Sequence, residues 1–153
     1  MIIFAIIFGI FISSLVEYLL HRVYLHRPLH DHLAKHHKEY LGESFTREVS
    51  FGDVASSLGY ILSNILIYSV IIALIFLFNP TFAVFSLISG IIYTIWVEVV
   101  HYEYHSSKKK WFKNTRVFKF LKKHHYFHHQ VFNKNYNIGS RIWDVLLKTL
   151  KAS

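Results

Sequence analysis

Three long apolar segments most constrain what this chain can fold into. They cover residues 2–16, 54–78 and 82–100, and the first continues as EYLLHRVYLH. A helix needs about 20 residues to cross the hydrocarbon core of a bilayer. The second and third segments are long enough alone, and the first is long enough once residues 17–20 are included. We therefore predict an all-α integral membrane protein with about three transmembrane helices, forming a single domain over residues 1–153.

The first apolar segment could alternatively be a secretory signal peptide. Such a peptide carries basic residues before its apolar core and a small-residue cleavage site after it. Residues 1–21 hold no Lys or Arg, and the apolar run passes directly into charged sequence. A spanning helix is therefore the favoured interpretation.

The distribution of basic residues predicts how the helices are oriented. All 17 Lys and Arg lie within residues 22–47 or 108–151. Because loops rich in Lys and Arg stay in the cytoplasm, residues 27–53 and 106–153 are predicted to be cytoplasmic, with the Asn79-Pro80 turn on the opposite side. The protein would be multi-pass, in the endoplasmic reticulum of a eukaryote or the cytoplasmic membrane of a prokaryote. Since 53% of the residues are hydrophobic, the net charge of +8 indicates a membrane surface as partner rather than nucleic acid.

All twelve histidines lie within residues 21–37 or 101–129, and ten of them form four spaced groups, or boxes. The boxes are H-x4-H (His21, His26), H-x3-HH (His32, His36, His37), H-x3-H (His101, His105) and H-x2-HH (His125, His128, His129). The chain has no cysteine, which excludes thiolate ligands, whereas neutral imidazole suits Fe, Zn, Cu and Ni. These imidazoles are too many for one metal ion and match two. We therefore predict a cytoplasmic, histidine-rich helical cap that holds a dimetal site.

Helical spacing predicts which imidazoles can meet, because residues i, i+3 and i+4 share a helix face. The convergent sets predicted in this way are His125 with His128 and His129, His101 with His105, and His32 with His36. His21 and His26 are five residues apart, so they require either a distorted helical turn or different metals. Adjacent histidines point about 100° apart, so one member of the 36–37 pair and of the 128–129 pair could serve each metal.

Glu17 and Glu98 lie at the ends of apolar segments, four residues before His21 and three residues before His101. Ionisable groups are costly at such positions and usually functional. Helical spacing allows each carboxylate to accept the free N–H of a nearby imidazole, which would fix the tautomer of that ring. We favour this supporting role over direct metal ligation because imidazoles are already plentiful.

The four ordered boxes and the sequence that follows them resemble one family of membrane oxygenases. EYLLHRVYLH, HLAKHH, HYEYH and KKHHYFHHQVFNKNYNIGSRIWD resemble the fatty acid hydroxylase/sterol desaturase superfamily. The resemblance covers about residues 17–37 and 98–145. The E-Y-x-x-H-R opening and the H-H-x-x-H-H box are closest in pattern to the fatty acid 2-hydroxylases.

The resemblance implies a di-iron centre that activates O2 and hydroxylates or desaturates a lipid such as a fatty acyl chain or a sterol. Zinc could replace iron in the purified protein. Electrons would come from NAD(P)H through a separate cytochrome b5-like or ferredoxin-like carrier. Carried over by motif, the metal ligands would be His21, His26, His32, His36, His37, His101, His105, His125, His128 and His129. His30 and His124 would not be ligands.

The chain departs from the family pattern at two places. The 2-hydroxylases usually have H-x2-HH at the second box, whereas His32 lies one residue further from its pair, which leaves His30 as a competing ligand. Family members commonly end Trp-Asp-x-x-Phe-Gly-Thr, whereas this chain has WDVLLKT. One alternative is therefore a non-catalytic subunit that retains the boxes.

A second alternative is a metal-binding or metal-transport membrane protein that uses the histidines as a reservoir. Transport would require ionisable ligands along the spans, but the second and third segments hold only Ser, Thr, Asn and Tyr as polar residues before Glu98.

The sequence leaves the role of residues 106–123, SSKKKWFKNTRVFKFLKK, open. This basic and aromatic stretch could be an ordinary solvated linker, but we favour an interfacial stretch that lies in the lipid headgroup layer. The same lysines could instead dock an acidic electron carrier, and the two roles are compatible.

Overall fold

The computed structural model of the protein describes residues 1–27, 32–46, 51–108 and 110–151. The α-helices are α1 (Ile2–Leu19), α2 (His37–Glu39), α3 (Phe51–Phe76), α4 (Pro80–His105), α5 (Arg116–Gln130) and α6 (Ile142–Leu146). Two π-helical segments, Leu20–Leu25 and His32–His36, and two 3-10 turns, Gly42–Phe45 and Trp111–Asn114, lie between them. The described ranges contain no β-strand, which confirms the predicted all-α class.

Three helical stretches are long and apolar enough to cross a membrane. They are Ile2–Leu25 with 24 residues, Leu58–Phe76 with 19 and Pro80–His105 with 26. Their outer faces are apolar, with Leu62 and Ile92 each more than 60% exposed. Because such faces are stable in lipid and unstable in water, three helices able to span the membrane are confirmed at the positions that the sequence predicted.

The turn between α3 and α4 follows from its two residues. The side chain of Asn79 accepts a hydrogen bond from the backbone N–H of Phe82, 3.0 Å away, and so caps the first turn of α4. Pro80 occupies the first helical position, where its missing N–H costs no hydrogen bond. These two residues end one span and begin the next.

Helices α1 and α4 pack closely because small residues line their contact. A Cβ atom at Gly9 would lie 2.3 Å from the carbonyl oxygen of Ser86, so a glycine is required there. The hydroxyl of Ser86 donates to the carbonyl of Ala5 at 3.0 Å, and that of Ser13 donates to the carbonyl of Gly90 at 3.1 Å. Small residues and hydrogen bonds of this kind hold membrane helices together.

Helix α3 joins this pair through buried polar groups. The hydroxyl of Tyr68 donates to the carbonyl of Ser86 at 2.5 Å, and the hydroxyl of Thr94 donates to the side-chain oxygen of Asn64 at 3.0 Å. Inside a bilayer every polar group must be satisfied within the protein. The polar residues that interrupt the apolar segments thus connect the helices, which weighs against a transport path along them.

The C-terminal part of the chain packs against the end of α4. Phe118 of α5 and Ile138 join Val97, Val100 and Tyr104 in a buried apolar core. Helix α5 is amphipathic: its four histidines at 124, 125, 128 and 129 are buried. This helix therefore presents a face of imidazoles towards the ends of α1 and α4.

The orientation of the spans can be tested with single cysteines, since the chain has none of its own. Thr81, Ser44 and Ser107 are exposed in the structure. A membrane-impermeant thiol reagent applied to intact cells is expected to label Thr81→Cys and to label Ser44→Cys and Ser107→Cys only after permeabilisation. The physical reason is that basic segments resist transfer across the membrane. Labelling of Ser107→Cys in intact cells, with Thr81→Cys protected, would reverse the predicted orientation.

Candidate metal centre

Nine of the ten histidines predicted as ligands gather in two clusters. The first cluster contains His21, His26, His32, His37 and His128, and the second cluster contains His36, His105, His125 and His129. Within each cluster, one possible ligand atom from every residue lies within 4.8 Å of the others. The arrangement offers two neighbouring sets of nitrogen ligands, as a dimetal site requires.

A π-helical turn brings His21 and His26 together. The backbone N–H of His26 donates to the carbonyl of His21 at 3.2 Å, five residues earlier. In a π-helix residues i and i+5 share a face, which an α-helix does not allow. The two ring centroids lie 4.9 Å apart. Of the two alternatives that the five-residue spacing left open, the structure has the distorted turn, and both rings belong to the first cluster.

The second π-helical segment, His32–His36, supplies histidines to both clusters. His32 joins His37, five residues later, in the first cluster, whereas His36 belongs to the second cluster. His32 and His36 therefore do not converge on one point as predicted, although their rings are stacked with centroids 4.8 Å apart. His32 is placed in a cluster, and its competitor His30 lies outside the described residues.

Helix α5 supplies imidazoles to both clusters. His128 belongs to the first cluster, and His125 and His129 belong to the second. The predicted convergence of all three on one point is therefore wrong. The prediction that adjacent histidines can serve different metals agrees with the structure, since His128 and His129 belong to different clusters. His125 and His129 are four residues apart and share one face of α5, whereas His128 points to one side of that face.

The ring nitrogens face one another across each cluster. In the first cluster, Nε2 of His21 lies 3.0 Å from Nε2 of His32 and 3.1 Å from Nε2 of His128. In the second, Nε2 of His125 has Nε2 neighbours at 3.0 and 3.1 Å. Two nitrogens bound tetrahedrally to one ion at about 2.1 Å would be about 3.4 Å apart. Small outward shifts would therefore accommodate an ion.

Backbone carbonyls hold the opposite nitrogen of three rings. Nδ1 of His21 lies 2.6 Å from the carbonyl oxygen of Tyr136, Nδ1 of His128 lies 2.6 Å from that of Lys134, and Nδ1 of His105 lies 2.9 Å from that of Phe45. A carbonyl can only accept, so each Nδ1 must carry the proton. The lone pair of each Nε2 then faces its cluster, which is the tautomer that a metal ligand needs.

Several buried ring nitrogens have no hydrogen-bond partner among the described residues. They include Nε2 of His36, His37 and His101. Buried polar atoms in folded proteins are nearly always satisfied. A metal ion bound by these nitrogens would remove the deficit for His36 and His37, so the donor set fits a metal site.

The imidazoles outside the spans are held in the neutral form. Burial, together with a smaller contribution from nearby imidazoles, lowers the pKa of His37 to about 2. Burial likewise lowers the pKa of His36, His125, His128 and His129 well below the ordinary value, with neighbouring imidazoles adding to the effect. Neutral imidazole is the metal-binding form, so these residues need not lose a proton at neutral pH.

The two predicted carboxylates have different surroundings. Nδ1 of His101 lies 3.8 Å from Oε2 of Glu98, so this pair is adjacent as predicted, and the His101 ring centroid lies 4.6 Å from that of His125. Glu17 instead accepts from the backbone N–H of Ile138 at 2.5 Å and from the hydroxyl of Tyr93 at 2.8 Å. The prediction that Glu17 accepts a hydrogen bond from an imidazole is wrong, because Nδ1 of His21 is directed at the carbonyl oxygen of Tyr136 instead.

Asp144 is an organising residue that the analysis of spacing missed. Its carboxylate is fully buried and accepts from the backbone N–H groups of Tyr136 and Asn137 at 2.8 and 2.9 Å, and from the hydroxyl of Thr149 at 2.7 Å. Its Oδ2 also lies 3.1 Å from Nε2 of His124. His124 thus belongs to neither cluster. The Trp-Asp dipeptide within the closing motif was the available sequence signal.

Residues 134–138, which we call the strap, connect these carboxylates to the metal ligands. Carbonyls of the strap hold His21 and His128, whereas its N–H groups are held by Asp144 and Glu17. Asn135 in the strap has a φ of 57°, a left-handed conformation that asparagine adopts more readily than most residues. The strap therefore orients two ligands of the first cluster.

Comparison with known families agrees with this geometry. The profile of the fatty acid hydroxylase family matches residues 6–149, nearly the whole chain. The match confirms the superfamily inferred from the histidine boxes, while the 2-hydroxylase branch stays a prediction. No curated protein and no solved structure matches the chain.

Two neighbouring histidines offer a direct test of the two clusters. Protein purified after growth with iron is expected to contain about two metal ions per chain, because each cluster supplies one imidazole shell. His128→Ala and His129→Ala should each lower the content towards about one ion per chain, and the double variant towards none. Elemental analysis of folded protein measures this. Fewer than about half an ion per chain in the unchanged protein would contradict a dimetal site.

The strap can be tested through Asp144. Asp144→Asn keeps the size of the side chain but places an amide where several donors converge. We expect metal affinity at the first cluster to fall about 10–100-fold, the usual effect of losing a group that orients a ligand. His124→Ala should leave the metal content near normal, since its imidazole lies in neither cluster. Competition with a chelator measures both. Loss of metal in His124→Ala with retention in His125→Ala would show that the ligand register is wrong by one residue.

Proposed function

The chain belongs to the fatty acid hydroxylase family, and on that premise we propose that it is a membrane oxidoreductase that hydroxylates or desaturates a lipid. The observation that carries this proposal is the contact between the two clusters. The rings of His37 in the first cluster and His129 in the second are stacked with centroids 4.3 Å apart. Ions bound in the two clusters would therefore be close neighbours.

We assign iron to both clusters. Imidazole nitrogens suit iron as well as zinc, and only iron changes oxidation state. When bound, two iron ions would supply the reduction of O2, with two electrons and two protons consumed for each hydroxyl group inserted and one water released. A desaturation would consume the same inputs and release two waters. Zinc bound in the same clusters would leave the protein without redox activity.

The position of the clusters supports a lipid substrate. His21 lies within the Ile2–Leu25 span, and His105 is the last residue of the Pro80–His105 span. The headgroup end of a lipid chain lies at this depth. The C–H bonds near that end can therefore approach the clusters without leaving the membrane. Both of these histidines are almost fully buried, which keeps bulk water away from the reacting atoms.

The chain itself must receive electrons from elsewhere, because imidazoles cannot supply them. We propose that a cytochrome b5-like or ferredoxin-like carrier reduced by NAD(P)H delivers them. The net charge of +8 favours an acidic partner. In this proposal the clusters lie on the cytoplasmic side of the membrane, where such carriers act.

Lipid analysis of a host with and without the protein tests the function. The expected result is a lipid shifted by about +16 Da for hydroxylation or about −2 Da for desaturation, formed only by the protein with intact clusters. His125→Ala removes a central imidazole of the second cluster and should abolish the product. Lys119→Gln, an exposed change on the same helix, is the matched control and should retain it. The measurement is mass spectrometry of total extracted lipids.

The electron supply must be controlled in that experiment. Iron-loaded protein in lipid vesicles should be assayed with NADPH and either a cytochrome b5 or a ferredoxin system. No product with either carrier, from folded protein holding two iron ions, would favour the non-catalytic alternative. Equal product from zinc-loaded and iron-loaded samples would contradict iron chemistry.

A further inference from the structure

A basic hollow lies immediately beyond the end of α4, outside both histidine clusters. Its volume is about 470 Å³, and its lining includes Lys108, Lys110, Lys113, Lys122 and Trp111. A concave surface of this size fits a small group rather than the broad, flat area of a protein–protein interface. The lining also includes Ser106, which follows His105 of the second cluster in the chain.

The hollow has an excess of positive charge. One carboxylate, Glu103, pairs with Lys113 at 2.9 Å and with Lys110, and it is only 2% exposed. Four lysines line the hollow, and one buried carboxylate is paired with two of them. Burial and the charge of Lys113 both lower the pKa of Lys122, which shows that the cations crowd one another. An anion in the hollow would relieve this repulsion.

The surroundings of the hollow indicate a membrane surface. Trp111 is 83% exposed although it is large and apolar. Tryptophan and lysine together are enriched at the membrane–water boundary, where the ring meets the headgroup layer. The hollow also follows directly on the last residue of the Pro80–His105 span. The anions present at the highest concentration at this depth are lipid phosphates.

We propose that the hollow binds the phosphate-bearing headgroup of an anionic lipid. The ammonium groups of Lys108 and Lys122 would contact the phosphate, while Lys110 and Lys113 remain paired with Glu103. Thr46, whose hydroxyl lies 3.1 Å from Nζ of Lys122, would flank the group. This site lies outside the two clusters, and its occupation does not depend on the reaction proposed above.

Native mass spectrometry of the full, metal-loaded chain in neutral detergent tests the proposal. Phosphatidylglycerol is the anionic probe, and phosphatidylcholine and inorganic phosphate are the comparison probes. Lys108→Gln with Lys122→Gln should weaken phosphatidylglycerol binding roughly 10- to 30-fold, as expected for two lysine contacts. Lys119→Gln with Lys123→Gln removes the same charge from exposed positions of α5 and should change binding less than about threefold.

Three results would overturn the proposal. Equal losses in the two double variants, or no loss in either, would show that net charge alone attracts the lipid. Displacement of phosphatidylglycerol by inorganic phosphate at equal concentration would assign the hollow to a soluble phosphate. If the lysine changes in the hollow abolished binding of an acidic ferredoxin and left phosphatidylglycerol binding intact, the hollow would be a protein docking site.

Discussion

The hydrogen bonds between histidine Nδ1 atoms and backbone carbonyl oxygens control what the buried imidazoles can do. A histidine ring has two nitrogens, and the one that carries the proton is set by the partner of the other. Because carbonyls hold Nδ1 of His21, His105 and His128, their Nε2 lone pairs face the clusters. Without these partners, either nitrogen could hold the proton, and a protonated Nε2 cannot bind a metal.

The membrane bundle places the ligands that these hydrogen bonds orient. Gly9 lets α1 and α4 approach until their backbones are in contact, and hydroxyl groups then connect α3 to the same pair. Because lipid offers no hydrogen bonds, separating two paired polar groups within the bundle would cost free energy that lipid does not compensate. The ends of α1 and α4 therefore hold a fixed separation, and His21 and His105 are delivered to neighbouring clusters.

Two buried carboxylates secure the rest of the site without touching either cluster. Asp144 and Glu17 accept backbone N–H groups of the strap, and the strap carbonyls then hold two rings of the first cluster. Gly139, just after the strap, lies so close to Val97 that a Cβ atom there would be 2.5 Å from a methyl carbon. Tight packing and charge-assisted hydrogen bonds thus act on the same few residues. The site is supported by backbone as much as by side chains.

Much of this architecture could be predicted from the sequence, because it depends on patterns that act locally. The apolar segments predicted the three helices that are able to span a membrane, since that ability depends on length and hydropathy. The histidine spacing identified the imidazoles that gather in the clusters, and the five-residue offset from His21 to His26 indicated either a distorted turn or two different metals. The partner of Glu17 and the role of Asp144 could not be predicted, because their partners are backbone groups more than a hundred residues away or in an irregular loop.

The sequence by itself determined the helical membrane architecture and the supply of buried imidazoles. Only the tertiary structure decided how those imidazoles divide between the two clusters. His32 and His36 serve different clusters although their rings are stacked, and His125 and His128 also serve different clusters, because rings from other segments meet these helices on two sides. A ligand set is defined by where several chain segments converge. Spacing within one segment predicts only how the side chains of that segment are directed, and not where the other segments lie.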